Sequence, residues 1–357
     1  MTRIVALPKG LLTVEITPLV WGITIASILG LLAFDFFAHV RKAHEPTLRE
    51  ASIWSAFYIG VALLFGLVFI FFGDTAHATE YYAGYITEKA LSVDNLFVFL
   101  VIISSFNVPR KYQQKVLLFG IVFALIARTA FIFLGAGLIH AWSDVFYIFG
   151  IILLLTAGQL LKKELSGEEA QEEADNFVVR AARRWLNTSD DYDGDKLTTR
   201  INGRRMLTPM LLVMVAIGGT DILFALDSIP AIYGLTQEPY IVFSATAFSL
   251  MGLRQLYFLI DGLLERLVYL SYGLAVILGF IGIKLMLHAL HENNLWFINN
   301  GENVAVLEIS TGLSLLVILG VLTVTVLASL VKSRVSGDAE TKKPVPAELP
   351  ERASEQD

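Results

Sequence analysis

The sequence predicts an all-α polytopic membrane protein of about nine transmembrane helices, with an inverted-topology repeat of two three-helix triplets. Three observations predict it. The 357 residues are 55% hydrophobic and only 17% charged, with mean hydropathy +0.64, less charge than a soluble domain carries. Apolar runs of the ~20 residues that a membrane helix needs recur along the chain. One acid pattern in apolar surroundings occurs twice: Glu88, Asp94 and Asn95 in EKALSVDNLFVF, and Asp221, Asp227 and Ser228 in DILFALDSIPAI.

Taken in order, the spans are expected near 15–37, 51–73, 81–105, 116–138, 144–161, 209–233, 240–260, 268–290 and 305–331. Arg3 and Lys9 precede the first, but no small-residue cleavage site follows, so it reads as a retained helix and not a signal peptide. Lys and Arg collect in alternate loops. Arg41, Lys42 and Arg49 follow span one; Arg110, Lys111 and Lys115 follow span three; nine Lys/Arg from Lys162 to Arg205 follow span five; Arg266 follows span seven. Lys332, Arg334, Lys342 and Lys343 follow span nine. Loops 74–80, 139–143, 234–239 and 291–304 have none. The positive-inside rule then places the C-terminus in the cytoplasm and the N-terminus outside, in a bacterial plasma (inner) membrane, with Arg3 and Lys9 on the unfavoured side. The units are membrane helices 1–161, a cytoplasmic loop 162–208, membrane helices 209–335, and a polar, Pro-containing tail 336–357 expected to be disordered. Within the loop a short amphipathic helix is expected at 168–186. The DDYDGDK run lacks the spacing and closing Glu of a calcium loop.

The repeat follows from superimposing Asp94 on Asp227, which puts Glu88 on Asp221. The next span of each half carries one buried arginine, Arg128 or Arg254, and the third spans share an aromatic–Gly opening, FYIFG and LSYG. Residues 81–161 and 209–290 are therefore two triplets. Three is odd, so the second enters the membrane from the opposite side, the arrangement with which many secondary transporters build a midplane site.

Each acid costs about 2.5–3.5 kcal/mol near the bilayer centre on insertion scales. Four acids kept in matched pairs point to a use. Residues six apart lie about 120° round a helix and 9 Å along it, so Glu88 and Asp94 cannot chelate one ion from a straight helix. Residues seven apart share a face, which aligns Glu88 with Asn95 and Asp221 with Ser228. Either one acid from each half meets the other, or a helix breaks. Pro230 supplies a reason to break span six, since its ring clashes with the Leu226 carbonyl and its missing N–H frees that group; Gly218 and Gly219 loosen the same helix. Carboxylates, Asn95 and Ser228 oxygens and freed carbonyls form a hard oxygen set suited to Mn2+, Mg2+ or Ca2+. A proton relay would use the same acids. The structural alternative is ion pairing with Lys89, Arg128, Arg254 or Lys284, which in a transporter become counter-ions or gate latches. Asp35 and His39 end span one. His77, His140, His288 and His291 fall near the external end, as interfacial residues or a weak metal mouth. The absence of cysteine removes disulfides and thiolate metal sites.

At these residues the chain resembles the TerC family of integral membrane proteins, named for tellurite resistance and similar to manganese exporters. The matching stretches are EKALSVDNLFVF, GDKLTTRINGRRMLTPMLLV, DILFALDSIPAIYGLT, LMGLRQLYFL and GFIGIKLML, with DFFAHVRKAHEPTLREA after span one. The resemblance implies Mn2+ efflux from the cytosol in a LysE-like superfamily built on inverted triplets, with Glu88, Asp94, Asp221, Asp227 and neighbouring Asn95 at the site. It also implies, for some relatives, supply of manganese to enzymes being secreted near the translocon. Two positions depart from the family pattern: Gly218, where many relatives carry Glu, and Thr246, where Asn is frequent. These departures bear on ligand count and metal preference. Tellurite is an anion, which a four-acid pocket would repel.

The leading expectation is a secondary transporter, not an enzyme, moving Mn2+ or another divalent cation with no permanently bound cofactor, by membrane potential or proton exchange. No Walker motif is present. The alternative is a membrane assembly or metallation factor that acts through partners such as the secretion translocon or secreted metalloenzymes, with structural buried charges. No nucleic-acid partner is expected. An intramembrane aspartyl protease is disfavoured, because Gly218-Gly219-Thr220-Asp221 does not fit the GxGD pattern.

Overall fold

The computed structural model describes residues 16–40, 45–72, 75–142, 144–166, 189, 192–201, 204–260, 269–295 and 297–340. The helices are α1 (Pro18–Asp35, continued by one wide turn Phe36–Val40), α2 (Leu48–Phe72), α3 (Thr75–Ser105), α4 (Arg110–Ala141) and α5 (Val145–Ser166). A hairpin β1 (Thr198–Ile201) and β2 (Arg204–Leu207) follows. Then come α6 (Pro209–Tyr233), α7 (Pro239–Leu250), α8 (Leu253–Ile260), α9 (Leu270–His291) and α10 (Thr311–Glu340). Proline fixes several starts: Pro18, Pro209 and Pro239 occupy the first turn of their helices, where the missing N–H is harmless and the fixed φ is already helical. Among the described residues, eight helical segments, with α7 and α8 counted as one, are long and apolar enough to cross a membrane. The expected span outside these eight is span three, α3. It is 31 residues long and is set apart by Glu80, Glu88, Lys89 and Asp94 within it.

The burial pattern is that of a chain surrounded by lipid. Leu64, Ile126, Leu155 and Leu316 are exposed on outer faces, while Glu88, Arg128, Asp221 and Arg254 are buried. A soluble protein distributes these the other way.

The helices pair reciprocally. α3 packs on α7 as α6 packs on α4, α3 packs on α6, and α5 packs on α9. The last contact is close because Gly150 and Gly282 face each other: a Cβ on Gly150 would lie 3.1 Å from the Gly282 carbonyl, and one on Gly282 would lie 3.2 Å from that of Gly150. Small residues at such a seam let membrane helices approach. Valine at either position is expected to force α5 and α9 apart at a cost of about 1–3 kcal/mol, read as a lowered melting temperature in detergent.

Three expectations need correcting. α6 runs unbroken through Pro230, which sits one turn from its end. The break falls instead in span seven, where Met251 is extended and Gly252 adopts φ +76° between α7 and α8. That left-handed conformation needs glycine, and a Cβ on Gly252 would lie 2.9 Å from Cβ of Tyr58. Span nine starts at Thr311, and its helix continues past 335 to Glu340.

The loop after span five contains an antiparallel hairpin, pairing Thr198 with Leu207. The helix expected at 168–186 lies outside the described residues. Lys115 Nζ meets Asp195 Oδ2 at 2.7 Å, and the Tyr192 hydroxyl donates to the Phe106 carbonyl at 2.9 Å, so the loop is docked on the ends of α3 and α4. The Lys115 ammonium holds the Asp195 carboxyl below its usual range. That contact is fully present above the ordinary carboxylate pKa and is lost as pH falls through the lowered value. The protection of the hairpin amides, taken as the intrinsic exchange rate at each pH over the observed rate, is expected to fall on acidification, and Lys115→Ala to remove most of that response.

Candidate functional site

The interior is built around Arg128 on α4, among the largest fully buried side chains. Its guanidinium pairs with Glu88 Oε1 of α3. On α6, Nη2 donates to Asp221 Oδ1 at 3.3 Å, Nε to Asp221 Oδ2 at 3.5 Å, and Nη1 to Ser228 Oγ at 3.1 Å. The planar fork of an arginine suits two carboxylates at once. Asp221 and Ser228, seven apart, present one face of α6 to it, as their spacing implied. Glu88 and Asp221, the matched first acids of the two motifs, thus meet through one cation.

The charges do not balance within this cluster. Two carboxylates face one guanidinium, so one negative charge is left for a proton or another cation. Ser92 Oγ donates to Glu88 Oε1 at 3.2 Å, but Glu88 Oε2 is buried with no hydrogen-bond partner among the described residues. Such an orphan acceptor is costly to bury. Thr87 Oγ1 on α3 and Thr246 Oγ1 and Ser249 Oγ on α7 are also buried without partners.

Lys89, next to Glu88, supplies the second positive charge. Its Nζ donates to the carbonyls of Ser249 at 2.9 Å and Met251 at 3.1 Å, groups left bare by the break after α7. Asn95 is buried one heptad beyond Glu88, whereas Asp94 and Asp227 are half-buried. Among the described residues, no three His, Cys, Asp or Glu side chains gather into a metal cage, so the four acids do not converge in this conformation.

Arg254 takes different partners from its expected counterpart Arg128. Asp35, at the end of α1, accepts from Arg254 Nη2 at 2.6 Å and Nε at 3.2 Å, from Gln255 Nε2 at 2.9 Å and from the Tyr58 hydroxyl at 2.9 Å. Arg254 also reaches Gln114 on α4. This knot ties α1, α2, α4 and α8 together just past the Gly252 break, towards the Lys/Arg-rich end. At the Lys/Arg-poor end a cavity of about 460 Å³ opens, lined by Glu80, Thr236, Gln237, Lys284, His288 and Glu308 among others. Thr236 Oγ1 donates to Glu80 at 2.7 Å. His288 Nε2 lies 2.9 Å from Gln237 Nε2, and His291 pairs with Glu308 at 3.1 Å; no described histidine joins a metal cluster.

Comparison with known proteins agrees with these motifs. Residues 73–337 match the family described as integral membrane protein TerC. The chain belongs to the TerC family. An uncharacterized membrane protein of Mycobacterium tuberculosis (strain H37Rv) is 60% identical over 317 residues, 88% of this chain and 80% of the relative. One of Myxococcus xanthus is 36% identical over 329 residues, 92% and 97% of the two chains. Escherichia coli K12 has a relative provisionally named a membrane-bound redox modulator, Alx, 39% identical over 280 residues, 76% and 86% of the two chains. No solved structure matches.

The TerC match spans both acid motifs, the span-seven break and the Lys284 helix, and leaves α1 and α2 outside. Sequence reasoning missed Asp35 as the partner of Arg254, and it missed Ser92 and the Ser249 and Met251 carbonyls. Ser92 was findable, one turn after Glu88. The Met251-Gly252 pair inside an apolar span was the available signal for the break.

Proposed function

We propose that this chain is a secondary transporter that exports a divalent cation, principally Mn2+, from the cytosol. The observation that carries the reading is the Glu88–Arg128–Asp221 cluster, which buries two carboxylates against one guanidinium and leaves Glu88 Oε2 unpartnered. Buried intramembrane charge of this kind marks ion and proton pathways. The available donors are oxygens, which fit Mn2+, Mg2+ and Ca2+ better than softer ions. Family membership supports transport and favours Mn2+ among these. The reciprocal packing of α3–α4–α5 against α6–α7/α8–α9 is what two triplets related by a two-fold axis would make, and supports the inverted repeat. Alternating access follows from that symmetry: the Asp35–Arg254 knot closes the cytoplasmic side, and the cavity beside Lys284 is the outward vestibule. Orientation with the C-terminus inside a bacterial plasma membrane rests on the Lys/Arg bias. Proton return to Glu88 would couple export to the proton gradient, and indifference of transport to an imposed pH gradient would exclude that coupling.

A second reading has its own support. Arg128 neutralises much of the acid charge and no metal cage forms among the described residues, as in an assembly or metallation factor whose buried charges are structural. The Escherichia coli relative is named a redox modulator; this chain has no cysteine thiol for such a role. The test is cellular manganese by mass spectrometry after a manganese load, in a host lacking its own exporters. Wild type is expected to lower manganese, and Asp94→Asn and Asp227→Asn, at matched membrane levels, to fail. Equal manganese in all three would reject the acids as the ion path.

A further inference from the structure

The break in span seven forms a seat for a positive charge, and the chain fills it with its own ammonium. α7 ends inside the membrane domain with its last carbonyls lacking helical partners. The C-terminal end of a helix is its negative pole. Lys89 Nζ sits on two of these carbonyls, those of Ser249 and Met251, at 2.9 and 3.1 Å. α3 and α7 are in register beside it: a Cβ on Gly84 would lie 3.2 Å from that of Ala245, and one turn on from each lie Glu88 and Ser249. Within about a turn of that level, four buried side-chain oxygens have no hydrogen-bond partner among the described residues: Glu88 Oε2, Thr87 Oγ1, Thr246 Oγ1 and Ser249 Oγ.

We propose that the Met251–Gly252 break is a cation-binding site in which the Lys89 ammonium is a tethered occupant that the transported divalent ion displaces. This rests on the transporter reading above and deepens it by naming ligands and a release device. The ligands are the Ser249 and Met251 carbonyls, Glu88 Oε2 and the neighbouring hydroxyls, a hard oxygen set of the number that Mn2+ or Ca2+ takes. An ion arriving with two charges outcompetes one ammonium beside Glu88. When Lys89 swings back, it restores the carbonyl contacts and expels the ion. The seat is therefore never left as bare carbonyls, which a membrane interior does not tolerate. Lys89 is a positioning residue that sets affinity and release, and not a ligand.

The experiment measures Mn2+ binding to purified protein in detergent, from the loss of the free Mn2+ electron paramagnetic resonance signal, and export in cells. Lys89→Gln keeps N–H donors for the same carbonyls but removes the charge. It is expected to bind Mn2+ at least tenfold more tightly than wild type and to export more slowly, because nothing expels the ion. Lys89→Arg retains the charge and is expected to keep weak binding. Ser249→Ala, with Lys89 in place, is expected to weaken binding several-fold; it tests the seat independently should Lys89→Gln fail to fold. A cooperatively melting Lys89→Gln protein with unchanged or weaker affinity overturns the proposal, as does unchanged affinity in Ser249→Ala. Wild type that exports Mn2+ alongside such variants leaves the transporter reading standing. Wild type that neither binds nor exports Mn2+ removes both.

Discussion

Replacing Arg128 with methionine is expected to give the largest single loss in the molecule. The substitution leaves Glu88 and Asp221 buried with no cation between them, and Ser228 loses its donor. Breaking a buried ion pair by removing one partner costs about 3–5 kcal/mol. Neutralising the acids as well removes the cause of that cost, so the triple variant Arg128→Met with Glu88→Gln and Asp221→Asn should recover most of the melting temperature. Export should not recover, because the ion path has then lost the Glu88 and Asp221 carboxylates. If the triple variant melts no higher than Arg128→Met alone, the loss comes from the packing of the long side chain and not from stranded charge. Arg128→Lys is an intermediate test: it keeps the charge but not the fork that reaches both acids.

The second large effect is expected at Asp35. Its carboxylate is the common acceptor for Arg254, Gln255 and Tyr58, so Asp35→Ala strands a buried guanidinium at a similar cost of about 3–5 kcal/mol. Asp35→Leu with Arg254→Met should be the more stable pair, because apolar residues can replace a buried ion pair with little loss. The functional consequence is access. Ile121 lines a small buried gap beside Asp35, Tyr58 and Met251. The chain has no cysteine, so Ile121→Cys reports on that gap without background. A membrane-impermeant thiol reagent on the cytoplasmic face should label it slowly in the wild-type background and at least tenfold faster with Asp35→Ala. Equal rates would show that the knot braces the fold without gating it.

The helices were legible because bilayer thickness sets a length that apolar runs must meet; among the described residues eight segments meet it, and α3, with its acids, is the exception. The candidate site was legible in part. The repeated spacing of Glu88 and Asp94 with Asp221 and Asp227 identified two helices, and their expense in lipid identified a pairing with buried cations. Which cation met which acid was not legible. Arg254 and Asp35 are 219 residues apart, and the repeat suggested that Arg254 would mirror Arg128, whereas its helix begins beyond the break and turns it towards α1. The position of the break was misread for a local reason. Pro230 removes one helical hydrogen bond, but α6 ends a turn later at Tyr233, so little helix remains to be disrupted. Gly252 permits a left-handed residue, and that single backbone state divides span seven and exposes the carbonyls that Lys89 holds.

The most direct test of the account is Mn2+ flux into liposomes that contain only this protein. A Mn2+-quenched dye trapped inside, with Mn2+ added outside, reads transport without any partner. Quenching by wild type is expected, at a rate set by the imposed membrane potential, and none beyond the empty-liposome leak for Glu88→Gln. Wild type no faster than empty liposomes, with the protein shown to be folded and inserted, would contradict the transporter reading and leave the buried charges as structure for a protein that acts through partners.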